Sequence, residues 1–156
     1  KMLKSIEGNF EHPDVNELLT KHFIELRAAS PEGSAHVLDI PGLKVPSIKF
    51  WSLWENNKLF GCGALKFLEK EHGEFKSIRI HDNFRQKGNG IKVMEHLINE
   101  AKKFDIKRLS IETGAGKFFE PARKLFKKCL FEPCEPFAHY EDDVNSIYLT
   151  KLISND

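Results

Sequence analysis

The segment Arg85-Gln86-Lys87-Gly88-Asn89-Gly90 constrains this chain more than any other: two glycines and two cations sit where a β-prone run gives way to a helical one. A diphosphate is held by exposed backbone N–H groups, by glycines that let the anion come close, and by the partial positive charge of a helix N-terminus. The segment supplies all three. Alone, Gly-x-Gly is equally a tight strand-to-helix turn in which glycine permits a positive φ. Two nucleotide motifs are excluded. A dinucleotide fingerprint needs a third small residue where Val93 stands, and Gly-Lys-Ser/Thr occurs nowhere in the chain.

The surrounding pattern is read from periodicity and punctuation. Residues 2–6 start a strand, and Pro13 with Asp14 opens a helix carrying Val15, Leu18, Leu19, Phe23 and Leu26 at helical spacing to about Ala29. Ser30-Pro31-Glu32-Gly33-Ser34 is turn chemistry, and residues 35–46, broken by Pro41-Gly42, read as a short helix followed by irregular chain. Residues 48–55, 59–68 and 74–80 form three β-prone runs, separated by Asn56-Asn57 and His72-Gly73, and predict an antiparallel meander. Strict alternation in the third run puts Glu74, Lys76, Ile78 and Ile80 on one face and Phe75, Ser77 and Arg79 on the other. Trp51 and Trp54 read as packing residues.

After Gly90, the residues Ile91, Met94, Leu97, Ile98 and Ala101 share one helical face, with Lys92, Glu95 and Lys102 outside it. Residues 108–112 read as a strand, residues 121–129 as a helix turning Ala122, Leu125 and Phe126 inward, and residues 146–153 as a closing strand. With no repeat, linker or low-complexity stretch, the 156 residues predict one domain over 1–156.

Composition narrows the partners. Lys plus Arg number 24 against 23 Asp plus Glu, so a net charge of +1 gives no general pull toward nucleic acid or a membrane surface. No apolar run approaches the roughly 20 residues a spanning helix needs. The three cysteines, Cys62, Cys129 and Cys134, are an odd number without a signal-peptide pattern, which predicts a reducing, cytoplasmic setting. The Cys129/Cys134 spacing lacks a second Cys or His pair, so no metal site is expected.

Arg85, Gly88 and Gly90 stand in the pattern Arg/Gln-x-x-Gly-x-Gly/Ala after an apolar strand, which resembles the acetyl-CoA signature of the GNAT superfamily of N-acetyltransferases. The resemblance extends through Gly61-Cys62-Gly63-Ala64-Leu65, Gly73-Glu74-Phe75-Lys76-Ser77, Ile111-Glu112-Thr113-Gly114, Phe119-Glu120-Pro121-Ala122-Arg123-Lys124-Leu125-Phe126 and Cys134-Glu135-Pro136-Phe137. It covers the chain from about Phe50 onward and is similar to one branch of uncharacterised bacterial acetyltransferases. It implies an α/β (α+β) GNAT fold: a mixed, mostly antiparallel sheet, flanked by helices and splayed after its fourth strand, with pantetheine in the gap. The residues it assigns to acetyl-CoA are Ile78, Arg79, Ile80, Arg85, Gln86, Lys87, Gly88, Asn89, Gly90, Ile91 and Phe126.

The chemistry follows from that resemblance. An amine of pKa near 10 is protonated at neutral pH, so attack on a thioester needs a base. Glu74 lies six residues before Ile80 and eleven before Arg85, the spacing at which some GNAT protein acetyltransferases carry a glutamate base. Its structural alternative is a strand-end carboxylate paired with Lys76, and Glu112 is the second candidate. The Ile78 N–H is the candidate oxyanion donor. Many GNAT enzymes place an acidic tyrosine after leucine in the penultimate helix; here Leu125-Phe126 removes it, and Leu130-Phe131 replaces the usual Gly-Phe. Tyr140 or water substitutes, or the thiolate leaves unaided. By the same resemblance His22, Ser30, Ser34, His36 and Asp39 lie toward the acceptor, although each reads equally as a cap or surface residue. The implied activity is acetyl transfer from acetyl-CoA to a primary amine of a small molecule or protein, with no nucleic acid or membrane partner and a homodimer left open. The alternatives are an acyl-CoA-binding sensor or interaction module with weak or no catalysis, and a purely structural turn.

Overall fold

The computed structural model describes residues 2–34, 36, 38–85 and 88–153. In chain order the elements are β1 (Lys4–Glu7), α1 (Pro13–Ala29), α2 (Ile40–Leu43), β2 (Ile48–Glu55), β3 (Lys58–Phe67), β4 (His72–Ile80), α3 (Asn89–Lys102), β5 (Arg108–Gly114), α4 (Glu120–Lys128), β6 (Glu132–Pro133) and β7 (Ser146–Leu152). Local chemistry accounts for most of these bounds. Pro13 opens α1 where a missing N–H costs nothing, and His12 Nδ1 accepts from the Asp14 N–H at 3.1 Å. Asn56 and Asn57 both take positive φ, 51° and 66°, which gives the β2–β3 hairpin the turn its right-handed twist requires. The two-residue β6 escaped the periodicity reading because it is short and contains a proline.

The segment after α1 departs from expectation. Within residues 35–46 the helix lies at Ile40–Leu43, on Pro41-Gly42 itself, rather than before that pair. Asp39 Oδ1 accepts from the Gly42 N–H at 3.0 Å, and proline in a first helical turn has no N–H to satisfy. The dipeptide that reads as a breaker therefore starts a helix. Ala35 and Val37 lie outside the described residues.

The sheet order is β1-β2-β3-β4-β5-β7-β6, with β4 and β5 parallel and the other pairs antiparallel. Helices cover both faces. On one, α3 and α4 pack Met94, Leu97, Ala101 and Phe126 against Trp51, Phe60, Leu109 and Ile111. On the other, α1 packs Val15, Leu19 and Phe23 against Phe50, Trp54, Cys62 and Ala64. The two tryptophans belong to opposite cores, as strand alternation directs, and each fully buried large side chain contributes about 1.5–3 kcal/mol.

Two irregularities of β4 position the site. The parallel pairing with β5 covers only His72↔Arg108, Gly73↔Leu109 and Glu74↔Ser110, while β5 goes on pairing with β7 to Gly114↔Ser146. Beyond Glu74, β4 thus has no strand partner on that side among the described residues. The second is a bulge: the β3–β4 register shifts between Cys62 and Ala64, and Ser77 takes φ 53°. The extra residue reverses the parity expected for this strand. Ile78 and Ile80 pack against the same core as Phe75, and Arg79 shares the opposite face with Glu74 and Lys76. Opposite the bulge, a Cβ on Gly63 would lie 2.4 Å from Leu97 Cδ1, so α3 packs into the room that the glycine leaves.

Candidate active site

The splay opens a cleft of about 690 Å³ that runs from the bulged half of β4 to the first turn of α3 and the inner face of α4. Each end has its own chemistry. At the α3 end, Gly88 is the N-cap residue with φ 78°, and a Cβ there would touch nothing, so conformation alone calls for glycine. Gly90 serves another purpose: a Cβ would meet both Leu125 methyls at 3.0 Å, so glycine lets α4 approach α3 closely. Asn89 Nδ2 donates to the Phe84 carbonyl at 2.9 Å and ties the helix start to the preceding turn. Gly88, Asn89, Gly90 and Ile91 line the cleft, and N–H groups in a first helical turn lack intrahelical partners. Lys124 and Lys128 of α4 line the same end.

The other expected loop residues divide. Arg85 lines the cleft with half its side chain exposed, while its Nε donates to the Ile80 carbonyl at 3.3 Å and pairs with Asp82 at 3.1 Å. Gln86 and Lys87 lie outside the described residues. Phe126 is buried in the α3–α4 core with its surface toward the cleft, an apolar wall without a hydroxyl.

At the fork of the sheet, three polar side chains converge. Glu74 is 1% exposed, and its Oε2 accepts from the Tyr140 hydroxyl at 2.6 Å and from Lys76 Nζ at 3.2 Å. Lys76 Nζ also donates to the Tyr140 oxygen at 2.9 Å, and the His36 ring lies edge-on to Tyr140. Glu74 Oε1 has no hydrogen-bond partner among the described residues. Burial, reinforced by the Glu74 charge, holds the Tyr140 phenol far above its usual range, so it stays protonated and donates. Glu112, one alternation further along β5 on the same face, accepts from the Ser146 hydroxyl at 2.8 Å; burial raises its pKa, and the Glu74 charge adds to the rise.

Behind this group the bulge is anchored from β3. The Cys62 thiol donates to the Ser77 carbonyl at 3.3 Å, and burial pushes its pKa up to about 12, which keeps the donor proton in place. Arg79 turns toward α1, where Nη1 donates to Glu25 at 2.8 Å and Nη2 to Asp82 at 3.3 Å. Its side chain is thereby committed, and only its strand position borders the cleft. Ser30 Oγ donates to the Leu26 carbonyl at 2.8 Å as a helix-end cap, and Asp39 is spent on α2. Ser30, Ser34 and His36 do line the cleft, as does His22, which is buried rather than a surface residue, while Asp39 does not.

His22 carries a stability prediction. Burial first, then the Arg79 charge, lowers its pKa from 6.5 to about 4, so it is neutral in the fold. A histidine depressed on folding costs nothing above the unfolded pKa. The unfolded chain takes up the proton first as pH falls, so stability is lost between about 6.5 and about 4 and levels off below. Roughly 3 kcal/mol is involved, from about 1.36 kcal/mol per pKa unit. Urea midpoints measured from neutral to mildly acid pH should fall more steeply for the native chain than for His22→Gln; parallel curves would refute the assignment.

Sequence reasoning placed Lys76 beside Glu74 but missed its bond to Tyr140, and it missed the bulge at Ser77. The first was readable in part, since Glu74-x-Lys76 shares a strand face. For the second no signal existed, because serine at positive φ has no sequence signature.

Comparison with known proteins agrees with this architecture. Residues 13–131 match the model of the acetyltransferase (GNAT) family. The chain is 46% identical over 139 residues to the uncharacterised N-acetyltransferase YsnE of Bacillus subtilis (strain 168), covering 89% of this chain and 92% of that protein. It is 39% identical over 139 residues to the uncharacterised N-acetyltransferase YedL of Escherichia coli (strain K12), covering 89% and 87%. Among solved structures, a Bacillus subtilis acetyltransferase in complex with CoA superposes with a TM-score of 0.71 at 17% identity, over 97% of this chain and 99% of that one.

Proposed function

The chain belongs to the acetyltransferase (GNAT) family, with acetyl-CoA as donor, and from that premise we propose that it acetylates a primary amine by direct attack on the thioester. One observation carries the reading. The free edge of β4 and the open first turn of α3 border one continuous cleft, with the unpartnered Oε1 of Glu74 at its fork. Pyrophosphate is an anion suited to the α3 N–H groups and the lysines of α4, and pantetheine amides suit a strand edge lacking a partner. The same edge provides the Ile78 N–H for the developing oxyanion, beside a bulge that interrupts the ladder to β3.

Glu74 is the base in this reading. Tyr140 and Lys76 occupy one of its oxygens, leaving the other to take a proton from the acceptor ammonium. The free amine then forms the C–N bond, the carbonyl oxygen takes the negative charge, and the C–S bond breaks. The departing thiolate takes the second proton shed by the nitrogen, so amide and thiol are the balanced products. A phenol held so far above its usual range is a poor proton source for a thiolate. Tyr140 therefore acts by positioning Glu74, which answers the loss of tyrosine at Phe126 without a replacement acid. The three cysteines, all free and two of them buried, support a cytoplasmic location.

Acetyl-CoA titration followed by thiol release over a panel of amines and peptides tests the proposal. Saturable binding and amine-dependent release are expected. Binding without release from any acceptor would instead identify a CoA-binding module, and no saturable binding would remove acetyl-CoA from the account.

A further inference from the structure

The cleft is electrically divided although the whole chain is nearly neutral. Its α3–α4 end carries Lys124, Lys128 and Arg85 with no carboxylate, whereas the cleft's two carboxylates, Glu74 and Glu112, both stand at the opposite end beside Lys76 and Arg79. Inside that end stand Glu74 and Glu112, on one face of adjacent strands at the point where β4 and β5 part. The lip that follows, Glu141, Asp142 and Asp143, runs from Tyr140, which is bonded to the cleft residue Glu74, to the cleft residue Asn145. The lip is pinned in place. Tyr148, the register partner of Glu112, donates its hydroxyl to the Glu141 carbonyl at 2.8 Å. Asp143 accepts from Ser34 Oγ at 3.0 Å and from the Asn145 N–H at 2.8 Å, and both partners line the cleft.

Besides Lys76, the His36 ring is the neighbour that bears on Glu112 and Asp143 among the described residues. Of the described cleft residues, Lys76 is spent on Glu74 and Tyr140, and Arg79 on Glu25 and Asp82. His36 is exposed at the rim, edge-on to Tyr140. An independent feature points to a bound cation: Glu74 is 99% buried, borders the cleft, and keeps one oxygen without a partner. A buried carboxylate oxygen left unbonded costs free energy that an ammonium donor would recover. An acceptor bearing its own carboxylate would meet only repulsion here.

We propose that the acceptor is a small dication, a diamine or polyamine, whose reacting ammonium is received by Glu74 and whose second ammonium is held by Glu112 under the acidic lip. This rests on the transferase reading and specifies its substrate class. Glu112 is then a specificity-determining residue: its carboxylate, already given one hydrogen bond by Ser146, keeps capacity for an ammonium donor. The lip residues draw the dication in by charge and touch no reacting atom.

Thiol release with putrescine, n-butylamine and γ-aminobutyrate, matched in chain length, tests it. Putrescine should exceed n-butylamine in kcat/KM by about tenfold or more, the effect of one well-placed ion pair, and γ-aminobutyrate should not be used. Glu112→Gln should abolish the preference, read as the ratio of kcat/KM for putrescine to that for n-butylamine. The exposed pair Glu141→Gln with Asp142→Asn, which leaves the packed interior intact, should raise the putrescine KM several-fold at constant kcat and constant acetyl-CoA KM. Use of γ-aminobutyrate or n-butylamine as readily as putrescine, or a preference that survives Glu112→Gln, would overturn the proposal. So would release only with other amines or peptides of the wider panel, an outcome that keeps the transferase reading. No release with any acceptor would mean that the transferase reading itself had failed.

Discussion

Glu74→Gln is expected to lower kcat by about 10²–10⁴-fold, the range over which general bases contribute, with little change in acetyl-CoA affinity. The division between its two oxygens explains the size of the effect. Oε2 is engaged by Tyr140 at 2.6 Å and by Lys76 at 3.2 Å, so only Oε1 is available to take a proton. Glutamine can keep its carbonyl oxygen toward Tyr140 and Lys76, but it then presents an NH₂ group, a donor, where the acceptor ammonium needs a base. Removing the charge also leaves Lys76, nearly buried, without its counterion, so thermal unfolding must be followed in parallel. A variant that stays folded with kcat and pH profile unchanged would remove Glu74 from the role of base. Tyr140→Phe should give a smaller loss, since it frees one bond to Glu74 and leaves the carboxylate in place.

The second large effect is expected at the start of α3. Gly88→Val places a β-branched residue at φ 78°, which costs about 1–2 kcal/mol or displaces the turn. Gly90→Val brings a Cβ to 3.0 Å from both methyls of Leu125, so α3 and α4 must separate. Either change moves the first turn of α3, which lines the cleft. Acetyl-CoA affinity should fall by tenfold or more, that is by at least about 1.4 kcal/mol, with the far-ultraviolet spectrum and the amine KM nearly unchanged. Titration calorimetry with acetyl-CoA reads this directly. Undiminished affinity in both folded variants would show that the donor is held elsewhere.

Much of the fold was legible because its signals are local. Proline and aspartate opened α1, an Asn-Asn pair closed the β2–β3 hairpin, and Gly88 marked the start of α3. The apolar faces of α3 and α4 followed from helical spacing, although Val93 and Glu100 are buried as well, Glu100 through a bond from Ser5 Oγ at 2.7 Å. Pro41-Gly42 misled because proline breaks a helix interior and starts a helix end, and only Asp39 in its capping position decides between them.

The site was legible in part. Glu74 and the glycine loop could be proposed by their spacing, whereas the bond that orients Glu74 joins it to Tyr140, 66 positions away, and no local pattern pairs residues so distant. The bulge was equally hidden. Period-two alternation holds only while the register holds, and one extra residue at Ser77 moved Ile78 and Ile80 across the sheet.

The amino-acid sequence by itself determined most of the elements, the turn chemistry and the glycine-marked start of α3, because each depends on backbone preferences within a few residues. Tertiary structure alone decided where β4 leaves β5, which face the residues after Ser77 present, and which carboxylates share the cleft. Those outcomes depend on pairing energies between distant strands and on Leu97 packing into the room left by Gly63, and no single stretch of the chain contains them.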